Sequence, residues 1–129
     1  MITVPASTRS PTAAIRSALA DLLWAARKCD CLHLPVQDRI AVILCRAGCW
    51  AAPPDCPVAI WVRYRTGLAV WVAGPIPAHR GRPSCPGAVV LTSPDATGTR
   101  PACRVPLPSP VGAFVTAFDQ CRHLELISH

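Results

Sequence analysis

Residues 58–73 read VAIWVRYRTGLAVWVA, and this stretch carries the clearest local pattern in the chain. Two apolar runs, rich in β-branched and aromatic residues, flank the dipeptide Thr66-Gly67. A two-residue connection that ends in glycine between such runs is typical of a tight β-hairpin. The stretch therefore predicts a central hairpin, against which amphipathic helices elsewhere in the chain would bury their apolar sides.

The two faces of this predicted hairpin differ in chemistry. If Thr66-Gly67 forms the loop, one face is almost wholly apolar and should be the core face. Trp61, Arg63 and Arg65 share the other face with two valines. An aromatic-plus-arginine face could stack bases or bind phosphate. The alternative is an edge hairpin whose arginine stems lie over apolar neighbours.

The segments on either side of the hairpin have the spacing of helices. Ser10-Pro11 is typical of an N-cap followed by proline at the first helical position, and it predicts a helix over Pro11–Lys28. A second helix should begin at Pro35 and end at Gly48. Ser109-Pro110 repeats the first signature and predicts a last helix.

Proline dominates the chain after the hairpin. Residues 75–110 hold nine of the 15 prolines, and within them only Ala88–Thr92 has the composition of a strand. Residues 74–87 and 93–109 are therefore predicted to be long loops.

Length and element order predict the domain organisation. A chain of 129 residues is expected to form one domain. We expect residues 1–9 to be a disordered lead-in to a single domain over residues 10–129. The expected order is α-α-β-β-β-α, in an α+β fold whose small antiparallel sheet carries helices on one face.

The charge of the chain bears on its partners. The net charge of +6 is carried by 12 arginines and one lysine. Basic charge favours nucleic acid or an acidic protein as the partner, although these arginines are scattered. No stretch approaches the about 20 apolar residues of a membrane span, and the N-terminal pattern is not that of a secretory signal. We therefore expect a cytoplasmic protein without a membrane partner.

Eight cysteines are a high number for a chain of this length. Cys29, Cys31 and His33 precede the second predicted helix, and Cys45 and Cys49 lie four residues apart at its end. Two ligands from each segment could close a tetrahedral zinc site; apart from this candidate, the sequence predicts no cofactor. The alternatives are reduced, buried thiols or disulfides.

Residues 29–75 also carry a short pattern of catalytic interest. Cys31-Leu32 is followed by a helix ending Leu-Cys-Arg-Ala-Gly and by the strand-like sequences VAIWV and AVWVAG. This pattern resembles the transglutaminase-like cysteine peptidases that trim leader peptides in lasso-peptide biosynthesis. The resemblance implies a thiol hydrolase with Cys31 as its nucleophile. The family histidine is not matched at Leu68-Ala69, so His79 would be the base and Asp95 the third member.

Three functional hypotheses follow from these patterns. The first is a small non-enzymatic binding domain that contacts nucleic acid or an acidic protein through Trp61, Arg63 and Arg65. It is favoured because no complete catalytic set is visible in the sequence. The second is the cysteine peptidase, and the third is a zinc-stabilised structural module.

Overall fold

The computed structural model describes residues 10–52, 55–92 and 101–127, and the predicted lead-in over residues 1–9 lies outside them. Its helices are α1 (Pro11–Lys28), α2 (Val36–Arg46), α3 (Pro57–Thr66), α4 (Ser109–Asp119) and a short 3₁₀ helix (Leu124–Leu126). Its strands are β1 (Val70–Ala73), β2 (Ala88–Thr92) and β3 (Pro101–Pro106). The order α-α-α-β-β-β-α confirms the predicted α+β class, with one helix more than expected.

The predicted hairpin over residues 58–73 is wrong. Its first half belongs to α3, which runs through Thr66. Its second half contains β1, which pairs with β2 and not with residues 58–65. The glycine that was expected to form the hairpin loop instead ends a helix.

Two end signals and one buried face explain why α3 is helical. Pro57 occupies the first turn, where its missing N–H costs no intrahelical hydrogen bond. Gly67 adopts the left-handed conformation, with φ 71°, and donates its N–H to the carbonyl of Arg63 at 2.8 Å. Between these ends, Val58 and Trp61 are buried three residues apart, which is helical spacing. The strand preference of the β-branched residues is therefore overridden by tertiary burial.

The sheet is antiparallel and has three strands in the order β1-β2-β3. The strand predicted over Ala88–Thr92 is confirmed, and it is the central strand β2. One cross-strand row is made of Val72, Val89 and Val105. Val89 and Val105 of this row are buried within the hydrophobic core, so this face of the sheet is the one covered by helices.

The third strand lies where a loop was predicted. β3 falls within residues 93–109, so that loop prediction is wrong for residues 101–106, while residues 93–100 lie outside the described residues. Its prolines, Pro101 and Pro106, stand at its two ends. Proline is tolerated at the ends of an edge strand because no ladder hydrogen bond is lost there.

The helices pack on one another and on the inner face of the sheet. α1 packs against β3, α3 packs against β1, and α2 packs against α1 and α4. Leu19 of α1, Leu44 of α2 and Phe114 of α4 are almost fully buried in the shared core. The three helices predicted from the sequence are confirmed, with α2 ending two residues before Gly48.

Residues 76–85 form an irregular two-stranded ribbon between β1 and β2, within the loop predicted over residues 74–87. Isolated bridges join Ile76 to Cys85 and His79 to Arg82. At the tip, Arg80 and Gly81 both have positive φ, 45° and 78°. Positive φ at both central residues is typical of the turns that close two-residue hairpins.

Candidate functional site

Trp61, predicted as part of an open binding face, is instead a core residue. Its side chain is 5% exposed, and its indole Nε1 donates to the carbonyl of Ala18 on α1 at 2.8 Å. Helical geometry turns this residue toward α1, because α3 presents one face to the core. The predicted sheet face that would have carried the aromatic ring therefore does not exist.

The guanidinium of Arg63 donates its hydrogen bonds to other residues of the chain. Its Nη1 and Nη2 donate to the two carboxylate oxygens of Asp55 at 2.8 and 2.9 Å, and its Nε donates to the carbonyl of Val70 at 2.9 Å. The hydrogen bonds from Arg63 lower the pKa of Asp55, against the opposing effect of burial. Arg63 thereby ties the segment before α3 to the start of β1.

Arg65 also has internal partners. Its guanidinium lies over the ring of Trp61 at 4.0 Å, a cation–π contact, and its Nη1 lies 3.2 Å from Asp21 Oδ2. About half of the Arg65 and Asp21 side chains is exposed, so this ion pair adds little stability. The three residues predicted to bind a partner thus make contacts within the protein, with α1, Asp55 and β1.

Cys31, the predicted nucleophile, lies in the loop between α1 and α2 and is partly exposed. Its thiol lies 3.7 Å from Asp30 Oδ1. Reduced hydration raises the pKa of Cys31, and the negative charge of Asp30 adds to the increase. Because α2 begins only at Val36, the start of that helix is not positioned to lower this pKa.

The structure does not bring the predicted catalytic residues together among the residues it describes. His79 lies at the exposed tip of the ribbon, and Asp95 lies outside the described residues. No hydrogen bond joins Cys31 to an imidazole in the part of the chain that the structure describes. The peptidase hypothesis stays a prediction, and the segment VAIWV on which it relies is helical.

The predicted metal ligands are brought together only in part. The ligand atoms of Cys29, Asp30 and Cys31 all lie within 4.8 Å of one another. The other predicted ligands, which are His33, Cys45 and Cys49, do not belong to this group in the described chain. Cys49 is fully buried, and burial raises its pKa to about 11, so its thiol is protonated at neutral pH. Sequence reasoning missed Asp30 because it considered only sulfur and imidazole donors.

The loop that carries this group is held by side chains of α2. Arg46 Nη2 donates to Asp30 Oδ1 at 3.0 Å, and this contact lowers the pKa of Asp30. Arg39 Nε donates to the carbonyl of Leu34 at 3.1 Å. The N–H of Leu34 in turn donates to the carbonyl of Cys31 at 3.0 Å. The loop is therefore supported from the helix beside it.

A second candidate site lies on the ribbon of residues 76–85. His79, Arg80 and Arg82 are all exposed there, and no salt bridge engages them within the described ranges. They border an open cleft of about 670 Å³ whose other walls include Ile76, Pro77, Pro83 and Cys85. From the sequence, His79 was predicted only as a base; the Arg-Gly-Arg triplet between prolines is the signal that could have indicated this site.

Comparisons with known proteins add no relative: no family model, curated protein or solved structure matches this chain. Among the described helices, none combines the length and the apolar character needed to cross a membrane.

Proposed function

We propose that this chain is a non-enzymatic binding domain whose ribbon, residues 76–85, binds single-stranded nucleic acid. The observation that carries the proposal is the grouping of His79, Arg80 and Arg82 around one open cleft, without acidic partners among the described residues. Guanidinium groups bind phosphate through paired hydrogen bonds, and the net charge of +6 favours a polyanion over the whole surface.

The apolar part of the cleft supports a single strand as the ligand. Ile76 is 59% exposed beside the basic residues, and prolines line the same cleft. Unpaired bases have apolar faces that can pack on such side chains or on arginine planes, whereas a duplex hides those faces. An acidic protein, the other partner expected from the sequence, would bind the same basic side chains. Such a partner would not need the apolar side chains that line the cleft.

The binding test is fluorescence anisotropy of a labelled single-stranded oligonucleotide, measured with the full chain over a series of salt concentrations. The double variant Arg80→Ala/Arg82→Ala should weaken binding at least tenfold. It should also reduce the slope of log K against log salt by about 1.4, from a loss of about 0.7 per phosphate contact.

A matched control removes the same charge elsewhere. Arg27 and Arg122 are exposed and lie outside the ribbon, so Arg27→Ala/Arg122→Ala should keep most of the affinity. Equal losses in the two double variants would refute a role of the ribbon. Preference for the duplex form of the same oligonucleotide, or equal binding of polyglutamate, would refute single-stranded nucleic acid as the ligand.

The zinc hypothesis has support from a separate part of the chain. Cys29 and Cys31 belong to one group of donor atoms, which favours metal binding there. The absence of His33, Cys45 and Cys49 from that group does not favour the closed four-ligand site expected of a structural zinc.

A further inference from the structure

We infer that Cys29, Asp30 and Cys31 form an open, three-ligand site for a thiophilic divalent ion such as Zn²⁺, with its fourth position facing solvent. This inference is independent of the ribbon. It also differs from a structural zinc, because the ion would be exchangeable and the fold would not depend on it.

The spacing of the donor atoms suits such an ion. Zinc holds thiolate sulfur at about 2.3 Å and carboxylate oxygen at about 2.0–2.2 Å, so tetrahedral ligands are about 3.5–3.8 Å apart. The separation of 3.7 Å between Cys31 Sγ and Asp30 Oδ1 already equals this spacing. All three donor atoms lie within 4.8 Å, so side-chain rotations of about 1 Å would complete the set.

The charges around the group balance when an ion is bound. Two thiolates and one carboxylate carry three negative charges, so a divalent ion leaves one negative charge in excess. Arg46 supplies the compensating positive charge through its contact with Asp30 Oδ1, 3.0 Å away. That contact also orients the carboxylate, and Oδ1 keeps a second lone pair for the metal. Ligating carboxylates commonly have such a hydrogen-bonded partner.

The exposure of the group explains why the site would be open. Cys29 is buried at the end of α1, whereas the side chain of Asp30 is 78% exposed. The ion would therefore be held between a buried thiolate and solvent, with water or an external ligand in the fourth position. On binding, each thiol releases its proton to water, and no oxidant or reductant takes part.

Contacts within the protein stabilise the fold without the ion. The hydrophobic core joins α1, α2, α3, α4 and the sheet, and among the described residues its members include none from the loop of residues 30–35. Arg39 and Arg46 hold that loop by hydrogen bonds to Leu34 and Asp30 in the protein alone. This distinguishes the proposed site from a structural zinc, whose removal unfolds the domain.

The test is titration of the reduced full-length chain with Co²⁺, followed by displacement with Zn²⁺. We expect one ion per chain, with tetrahedral d–d bands and thiolate-to-cobalt charge transfer from two sulfurs. Cys29→Ser and Cys31→Ser should each weaken binding at least tenfold and remove part of the charge-transfer band. Asp30→Asn should weaken binding while keeping that band. Addition of imidazole should shift the d–d bands, because the fourth position is open.

The controls address the competing arrangements. Cys121→Ser changes an exposed cysteine outside the group and should leave the titration unchanged. Loss of binding in Cys45→Ser, Cys49→Ser or His33→Gln would refute the three-ligand site in favour of the closed one. Failure of the wild-type chain to bind Co²⁺, when titration of a denatured aliquot shows all eight thiols to be reduced, would refute the site outright. If a chelator unfolds the chain, as monitored by circular dichroism, the ion is structural and the proposal of an exchangeable ion is refuted.

Discussion

The guanidinium of Arg63 and the carboxylate of Asp55 face each other through two parallel hydrogen bonds, 2.8 and 2.9 Å long. The same guanidinium donates to the carbonyl of Val70 in β1. One side chain thus connects the segment before α3, the last turn of α3 and the first strand. An arginine that was a candidate for binding a partner instead stabilises the junction between the helices and the sheet.

Substitution of Arg63 should therefore lower stability. Arg63→Met keeps the aliphatic stem but removes all three hydrogen bonds, and we expect a loss of about 1–2 kcal/mol in the free energy of unfolding. The value is modest because about a third of each partner side chain is exposed. Urea denaturation of the wild type, Arg63→Met, Asp55→Asn and the double variant measures the coupling free energy between the two side chains. Additive losses would contradict the pairing.

The same pair should make stability depend on pH in acid. Arg63 lowers the pKa of Asp55 below its ordinary value of 3.8. The unfolded chain then binds the proton more readily, so the contribution of Asp55 is complete above the unfolded pKa and is lost as the pH falls through the lower, folded pKa. The stability difference between the wild type and Asp55→Asn should shrink below pH 3.8 and stay constant above about pH 5. A difference that grows in acid would contradict the sign of this shift.

Gly87 should not tolerate a side chain. A Cβ at this position would lie 2.6 Å from the carbonyl oxygen of Ala73 and 2.7 Å from Leu107 Cδ1, and the first of these is backbone. Gly87→Ala should lower the melting temperature by several degrees, since about 1–3 kcal/mol is typical of overpacking. Gly112→Ala is the matched control, because its Cβ would meet only Pro75 Cγ at 3.4 Å. In the interior of α4 the added methyl should be neutral or stabilising by up to about 1 kcal/mol.

His123 should be replaceable by an apolar ring. It is buried and stacks on Phe114 with ring centroids 5.1 Å apart, yet its Nε2 has no hydrogen-bond partner among the residues described. An unsatisfied buried nitrogen costs about 1–3 kcal/mol, so His123→Phe should raise the free energy of unfolding if the larger ring fits. His123→Leu, a smaller apolar side chain, serves as the second variant. Destabilisation by both variants in thermal unfolding would show that Nε2 has a partner in solution, or that the contact of Nδ1 with Glu125 Oε1, 3.5 Å away, stabilises the fold.

The cysteines should divide into two reactivity classes. Burial raises the pKa of both Cys49 and Cys56 to about 11, so their thiolate populations near pH 8 are very small. Cys85 and Cys121 are exposed. Iodoacetamide at pH 8 should label the exposed pair first, and the buried pair should react only in denaturant, as measured by peptide mass spectrometry. Early labelling of Cys56 in the folded chain would contradict its burial.

The comparison of α3 with the hairpin prediction shows where sequence reasoning failed. Residues 58–66 are rich in strand-forming residues that lead into the turn-like pair Thr66-Gly67, and the helix signals at Pro57 and Gly67 were not weighed against this pattern. The hydrogen bond from Trp61 to Ala18 joins residues 43 positions apart, and no local pattern indicates it. β3 was missed for a related reason, because its prolines are tolerated only at the ends of an edge strand, and edge position is a property of the sheet.

The candidate sites, like the fold, could be predicted from the sequence only in part. The closeness of Cys29 and Cys31 could be predicted, because two residues with one between them cannot be far apart. The addition of Asp30, and the exclusion of Cys49, depended on how α2 packs beside the loop. The internal partners of Arg63 and Arg65 likewise come from Asp55 and Asp21, which the sequence places 8 and 44 positions away.

The sequence by itself determined the elements that carry their own signals. α1 follows from its capping serine and proline, and β2 follows from a short apolar run between breakers, because caps and turns act within a few residues. The tertiary structure decided between strand and helix for residues 57–66, placed β3 at the edge of the sheet, and left the cations of the basic ribbon exposed. These outcomes depend on which surfaces are buried together, and burial is a free energy shared by residues that are distant in the chain.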